Sequence, residues 1–393
     1  MKLLITILLT IFILNINAEE QSYTLNQLFG QEDIVDLSGS LGIYYRDLSN
    51  REENQAREEF GNAQLWLHAV TKEWNGLSFG ISGLYNYEVA DEEFGYDNSI
   101  ADKNAILAEV FASYKYSKTL LTIGRQVKGP DDGGWIMLDD FYEGVFIESD
   151  EIENFNIRLT WVNRSAVFDP DEITRYEEFN GENDTDGVYG AEVIWSGLEN
   201  LQLSGVYYRA NGAYKIAGAI LEHQSEFDKF SNDFLVEYYT TWENGNHGLG
   251  AGNAGETDHG SISHIYNNMN FESFSLGFGY IAADKNIGSG SLINNPWDPF
   301  EEDDFHTQLS NARTWYVTGE CSLCETVSLG LVYGQTNADT GNNEDARYDQ
   351  FNAIINWDCH EQVSLEAGYV HVKTTDSVEE GFDKAYINAI LSF

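Results

Sequence analysis

Lys384-Ala385-Tyr386-Ile387-Asn388-Ala389-Ile390-Leu391-Ser392-Phe393 is the stretch that decides the fold. Successive side chains of a strand point to opposite sides, so Ala385, Ile387, Ala389, Leu391 and Phe393 share one face. An alternating strand that closes on an aromatic residue is the expected last strand of an outer-membrane β-barrel. The other end of the sequence agrees. Residues 1–18 hold one cation, Lys2, an apolar run from Leu3 to Leu14 and a small residue at Ala18, the pattern of a secretory signal peptide cut before Glu19. Residues 19–34 then read as a short periplasmic leader, and 35–393 as the barrel.

Roughly 375 of the 393 residues remain after that cleavage, more than one ordinary soluble core holds. No composition shift or Pro-rich linker divides them, whereas a single large β-architecture accommodates the length. Beyond the signal peptide no apolar run approaches the ~20 residues of a spanning helix, which excludes a helical membrane protein. The 21 Lys and Arg face 65 Asp and Glu, a formal charge of −44. Such a field excludes nucleic acid as a partner. The acids sit in short patches between alternating segments rich in Tyr, Phe, Trp and Gly, which an acidic disordered chain would lack.

Reading for period two gives eighteen segments of about ten residues, the size that crosses an outer membrane. Their connections alternate between short polar turns, such as Glu73-Trp74-Asn75, and long acidic Gly-rich loops, such as 164–187 and 282–311. That asymmetry is the one of bacterial barrels, with turns in the periplasm and loops outside. Two connections break it: the one near Asn211 is too short, and Gln224–Asn232 is too long. The count therefore stands at eighteen, with sixteen and twenty as alternatives.

Energy assigns the faces. An Arg facing lipid near the midplane costs about 2–4 kcal/mol, so Arg158, opposite Phe155, Ile157, Leu159 and Trp161, points into the lumen. The same rule turns Arg46, Glu109, Glu192 and Glu237 inward, where they are expected to line a water path. Tyr85, Tyr87, Tyr114, Tyr116, Tyr238, Trp242, Trp357 and Tyr369 are placed for aromatic girdles at the membrane interfaces.

Thr122-Ile123-Gly124-Arg125-Gln126-Val127-Lys128-Gly129-Pro130, followed by Phe141-Tyr142-Glu143-Gly144-Val145, is the most specific motif. It resembles the Opr-type porins, the OprD-like channels that include the major outer-membrane porins of campylobacters. In that family a Gly-Arg-Gln strand end leads into an inward-folded third loop, and an aromatic-Glu-Gly reopens the next strand. The leader Thr24–Phe29 and Leu37–Leu41 are similar as well. The resemblance implies a trimeric eighteen-stranded barrel in the bacterial outer membrane, with the loop at 128–141 narrowing the pore. This loop departs from the family pattern: it lacks a basic residue midway and carries Asp131, Asp132, Asp139 and Asp140. Folded inward, those carboxylates favour cations; turned outward, they face bulk solvent. Arg125 poses a conflict, because strict alternation puts it with the lipid-facing Leu121 and Ile123, and an inward position needs a bulge or a place above the bilayer.

Glu182–Gly187 with Glu192 approaches the calcium-loop pattern but misses its spacing, so loosely held Ca2+ bridging acidic loops to lipopolysaccharide is the most it supports. No cofactor is expected. Cys321, Cys324 and Cys359 lie in turns on one rim, where an oxidising compartment favours a disulfide between two of them, with free thiols and a zinc site that includes His360 as the alternatives. The histidines are scattered and form no catalytic neighbourhood, so no enzymatic activity is expected. The reading is a porin passing small hydrophilic solutes and preferring cations. The alternatives are a barrel acting mainly as an adhesin or envelope structural protein, and a secreted acidic β-protein.

Overall fold

The computed structural model describes residues 34–50, 58–92, 105–129, 134–168, 176–178, 187–210, 214–243, 259–285, 299–301, 304–339, 345–375 and 381–393. The expected signal peptide, nearly all of the leader, Asp131, Asp132 and the calcium-like segment at 182–186 lie outside the described residues.

All strand pairings are antiparallel, and nearly all join consecutive strands. In order the strands are β1 (Val35–Asn50), β2 (Glu58–Thr71), β3 (Leu77–Glu92), β4 (Ala105–Tyr116), β5 (Thr119–Lys128), β6 (Asp140–Ser149) and β7 (Phe155–Ala166). A two-residue β8 (Glu177–Glu178) pairs only with β7. Then follow β9 (Val188–Leu198), β10 (Leu201–Ala210), β11 (Tyr214–Glu226), β12 (Phe230–Glu243), β13 (His259–Phe271) and β14 (Phe274–Ala283). The last are β15 (Arg313–Cys324), β16 (Val327–Asp339), β17 (Asp345–His360), β18 (Val363–Thr374) and β19 (Phe382–Ser392). Without β8, eighteen strands form the ring, and β19 closes it on β1 from Asn50↔Phe382 to Ser40↔Ser392. Gly39 and Phe393 extend this seam by exchanging two backbone hydrogen bonds of 2.9 Å.

The two anomalous connections resolve differently. β11 runs on to Glu226 and β12 begins at Phe230, so the supposed long turn is a three-residue one, closed by Phe227 N–H donating to Phe230 O. Polar residues at both strand ends had hidden the pairing. The link from Ala210 to Tyr214 is short, on the side where the other loops are long. At the short-turn end Asn75, Asn154 and Asn200 take positive φ of 50°, 64° and 61°, a conformation Asn tolerates better than most residues.

The two faces differ as alternation requires. Ile81, Val110, Ile123, Leu159, Val193, Ile265, Phe278 and Ile355 are exposed outward although apolar. All eight residues placed in the girdles are exposed too, Tyr114, Tyr116 and Trp357 toward the short-turn end and Tyr85, Tyr87 and Trp242 toward the long-loop end. Inward-facing Asn62, Gln64, Asn86, Thr160, Glu192, Thr314 and Gln350 are buried although polar. Eighteen strands enclose more space than wall side chains fill, so this burial requires further chain inside the ring.

Among the described residues, no helix is long and apolar enough to cross a membrane, which says nothing of strands that do. Cys321, Cys324 and Cys359 are free thiols, which corrects the expected bridge. Cys321 and Cys324 stand three residues apart on one extended strand, about 10 Å at the strand rise. Cys324 and Cys359 are separated by β16, and two strand spacings again approach 10 Å, beyond the ~7 Å between Cα atoms that a disulfide spans.

Candidate functional site: the occupied lumen

Two segments from the long-loop end lie inside the ring. The first is the β5–β6 connection with the strand tops around it. β5 pairs with β4 only as far as Val110↔Arg125, yet continues on β6 to Lys128↔Asp140. β7 leaves β9 after Val162↔Val188, while β6–β7 pairing runs on to Phe141↔Ala166. The tops of β5, β6 and β7 therefore leave both neighbours together, as a flap. Its crease crosses the sheet at Gly124, Gly144 and Val162, which are register partners, and Asn163 bulges beside it. Gly124 has φ of +124°, and a side chain there would stand 2.9 Å from Phe111 Cα; one at Gly144 would stand 3.1 Å from Val162 Cα. The bend needs both glycines.

The flap folds inward. Phe141 stacks on Trp66 of β2 at 5.7 Å, and Phe168 packs on Phe141 at 4.8 Å. Measured round the wall, four strand spacings separate β2 from β6, about 19 Å, so only a crossing of the interior allows that contact. Tyr176 ends the aromatic run 5.8 Å from Phe168, and its hydroxyl donates to the Ala108 carbonyl of β4 at 2.6 Å, across the gap that β5 vacates. Burial holds the Tyr176 hydroxyl well above its ordinary pKa, so it stays a donor.

The crease also resolves Arg125. Its register puts it on the outer face with Ile123, but the flap has left the wall there. Its Nε donates to Glu143 at 2.7 Å, and the Tyr176 ring lies 4.5 Å from the guanidinium carbon. Arg125 is thus sandwiched between flap and β4.

On the flap's other side, Trp135, Met137 and Leu138 are fully buried against the wall of β6 to β10. Glu192 anchors them. Its carboxylate, 0% exposed, accepts the Ile136 and Met137 N–H groups at 3.1 Å and the Tyr208 hydroxyl at 2.7 Å. Arg158 approaches it at 3.5 Å and donates to the Gly134 carbonyl. An isolated buried carboxylate costs several kcal/mol, and four donors are the compensation. Lys128 pairs with Glu148 at 3.0 Å, which also accepts the Trp135 indole N–H.

The second segment is the described part of the β14–β15 connection. Phe300 packs edge-on to Tyr316, and His306 stacks on Tyr348 at 5.0 Å. Tyr386 donates to Glu301 at 2.9 Å. Below lies a relay in which Tyr239 donates to Glu237 at 3.0 Å and His264 Nδ1 meets Glu237 at 2.8 Å. A carboxylate only accepts, so Nδ1 carries a proton, and Nε2 lies within hydrogen-bonding distance of the Tyr316 hydroxyl at 2.7 Å.

The expected water-path residues are accordingly placed otherwise. Glu109, Arg158, Glu192 and Glu237 are inward but buried; the first three hold the flap, and Glu237 is held by Tyr239 and His264 of the wall. Glu109, for instance, accepts Val127 N–H of the flap and faces His68 at 3.4 Å. Arg46 lies inward over the Phe60 ring. Asp139 and Asp140 line a cavity of about 440 Å³ between the flap and the β1–β2 wall, with Ser40, Trp66, His68, Phe141 and Phe168. A second cavity of about 610 Å³ at the short-turn end is lined by Gln202, Glu222, Asp233 and Tyr266 among others. Trp66, Phe168, Tyr176 and Tyr208 went unrecognised in the sequence, although apolar residues on both faces of β10 signalled that something covers its inner one.

A family model described as Gram-negative porin matches residues 21–377. No curated protein matches the sequence. Among solved structures, the chain is similar to OccK9 (OpdG) of Pseudomonas aeruginosa, at 14% identity and a TM-score of 0.76, covering 91% of this chain and 98% of that one. OccAB4 of Acinetobacter baumannii (13% identity, TM-score 0.74) gives the same coverage. So does P. aeruginosa OpdK, solved with vanillate (13%, 0.74). At such identities the likeness establishes the fold.

Proposed function

The chain belongs to the Gram-negative porin family, and from that premise we propose an outer-membrane channel for small solutes that prefers cations, with the flap setting its gauge. Passage of small solutes across the outer membrane belongs to the family; the preference for cations is our reading. One observation carries it. The cavity at the flap is lined by Asp139 and Asp140 and the one at the short-turn end by Glu222 and Asp233, and among the described residues neither lining includes Lys or Arg. The lumenal cations nearest the flap are engaged elsewhere, Lys128 with Glu148 and Arg125 with Glu143. An excess of acidic side chains along a narrow water path raises the local cation concentration and repels anions. The vanillate in OpdK is an anion, so this chain is expected to differ from OpdK in solute.

The test is the reversal potential of the purified protein in a planar bilayer under a KCl gradient. A potential displaced toward that of K+ is expected, and one displaced toward chloride overturns the proposal. Exchanging Asp139 and Asp140 for Asn should move the potential toward zero. The threefold assembly and the lipopolysaccharide and Ca2+ contacts expected from the sequence stay part of this proposal, to be tested by cross-linking in native membranes and by EDTA treatment.

A further inference from the structure

Two cavities share part of their lining, and the overlap traces a line through the ring. The cavity of about 440 Å³ beside the flap reaches Ser40 and His68. A further cavity of about 420 Å³ at the β1–β19 seam starts from the same two residues and continues past Ser38, Gln362 and Ser392. We infer that the conducting route runs down the β1–β2 wall, from Asp139 and Asp140 at the flap through a Ser40–His68 junction to the seam at the short-turn end. His68 sets its width at that junction. The inference rests on the channel reading above and is independent of the sign of the ion that passes.

Register builds the junction. Trp66, Ser40 and Ser392 stand abreast on β2, β1 and β19, and His68 with Ser38 forms the next inward pair, two residues nearer the short-turn end. Serine side chains are short, so β1 and β19 leave room at this level. Toward the long-loop end the same wall is closed, with Tyr44, Phe60, Asn62 and Gln64 all buried. His68 projects into the room from β2, and its ring is fixed. It stacks on Trp66 at 5.6 Å and 10°, and its Nδ1 faces Glu109 of β4 at 3.4 Å. The residue between them on β3 is Ser82, short enough for Glu109 to reach across. Glu109 also accepts Val127 N–H at 3.2 Å, so one carboxylate ties the imidazole to the flap. The His68 side chain nevertheless keeps 36% of its surface exposed, against 11% for Glu109, and that surface borders both cavities.

The opposite wall is packed. A continuous cluster of buried apolar side chains runs from Trp135 of the flap over Tyr208, Ile220, Tyr239 and Tyr316 to Ala338. The cavity of about 610 Å³ at the short-turn end lies beneath it. On β10, Gln202 lines that cavity, while Val206 and Tyr208, farther along the same inward face, are buried. Protein interiors pack without gaps wide enough for a hydrated ion. Water entering there meets closed chain, which makes that cavity a blind vestibule.

The experiment is thiol modification of open channels of the full chain in a planar bilayer. The probe is trimethylammonioethyl methanethiosulfonate, which leaves a bulky charged group in disulfide linkage on an accessible cysteine. The unaltered chain, with Cys321, Cys324 and Cys359 as free thiols, sets the baseline. Ser40→Cys and Ser392→Cys each exchange one oxygen for sulfur, a change small enough to leave the barrel intact. In both, the reagent is expected to cut the K+ current roughly twofold or more. Gln202→Cys, in the blind cavity, should respond no more than the baseline. His68→Ala should raise the single-channel conductance before any reagent is added. Loss of current at Gln202→Cys with none at Ser40→Cys, or an equal response at all three positions, overturns the route. Unaltered conductance in His68→Ala overturns the role of His68. Channels that open but ignore modification at Ser40 and Ser392 defeat the route alone, whereas an unaltered chain that forms no channels defeats the channel reading with it.

Discussion

The flap and the β14–β15 segment both fill the lumen, but they are held by different physics. The flap ends on a buried carboxylate, with two backbone N–H groups, a phenol and a guanidinium converging on Glu192. The β14–β15 segment ends on ring contacts, Phe300 against Tyr316 and His306 against Tyr348, with Tyr386 on Glu301 as its polar tie. Charge-assisted hydrogen bonds are directional and fix a backbone at a defined height, while ring stacking tolerates small shifts. The difference makes the flap the more rigidly placed of the two segments, as the proposed gauge requires.

Removing the carboxylate is the severest way to break that contrast. Glu192→Ala leaves the Arg158 charge and two N–H groups buried without their acceptor, and a loss of about 3–5 kcal/mol is expected for such a disruption. The flap should then leave the wall, seen as a several-fold larger single-channel conductance and new protease cleavage near Trp135. Unchanged conductance would mean that Glu192 does not set the gauge. Phe300→Ala should cost about 2 kcal/mol, below the full core penalty because an inserted loop outside the strand ladder can settle into the void. Its melting temperature should fall with little change in conductance.

Tyr176→Phe removes one neutral hydrogen bond to β4, about 1 kcal/mol, and should appear as faster current fluctuations rather than a wider pore. The raised folded-state pKa of Tyr176 gives a contribution fully present below its ordinary value of 10.0 and lost only as the pH climbs past it. The difference between Tyr176→Phe and the unaltered chain should therefore be constant from about pH 6 to pH 9. The smallest effect is expected at Glu151, in the β6–β7 turn, whose exposed carboxylate accepts Lys118 N–H at 2.9 Å. That hydrogen bond holds its pKa below the usual carboxylate value. Glu151→Gln should leave conductance and melting unresolved from the parent, since exposed pairs contribute little.

Period-two alternation made the ring readable, because a strand facing lipid on one side must write its polarity every second residue. It also turned Glu192 and Arg158 inward. It said nothing of what lies against them, since alternation distinguishes faces and not the contents of the space they enclose. A local signal existed: Trp135-Ile136-Met137-Leu138 is an apolar run inside an acidic loop, and such a run has to be covered. The Arg125 conflict was the other visible trace, a register violation where the strand leaves the wall. The stacking of Trp66 with Phe141 and Phe168 joins residues far apart in the sequence, and no local pattern encodes that meeting. The disulfide expectation failed for a related reason, since a shared rim does not bring thiols within bonding distance.

The crease at Gly124, Gly144 and Val162 sets how deep the flap lies within the ring. Residues at the fold line must keep their parity, or every flap side chain would exchange faces. The crease can therefore shift along the ladder only two residues at a time, a step of about 7 Å. Flap depth is thus a stepped quantity, one that related barrels could change by relocating a pair of glycines while leaving strand number, seam and lipid face intact.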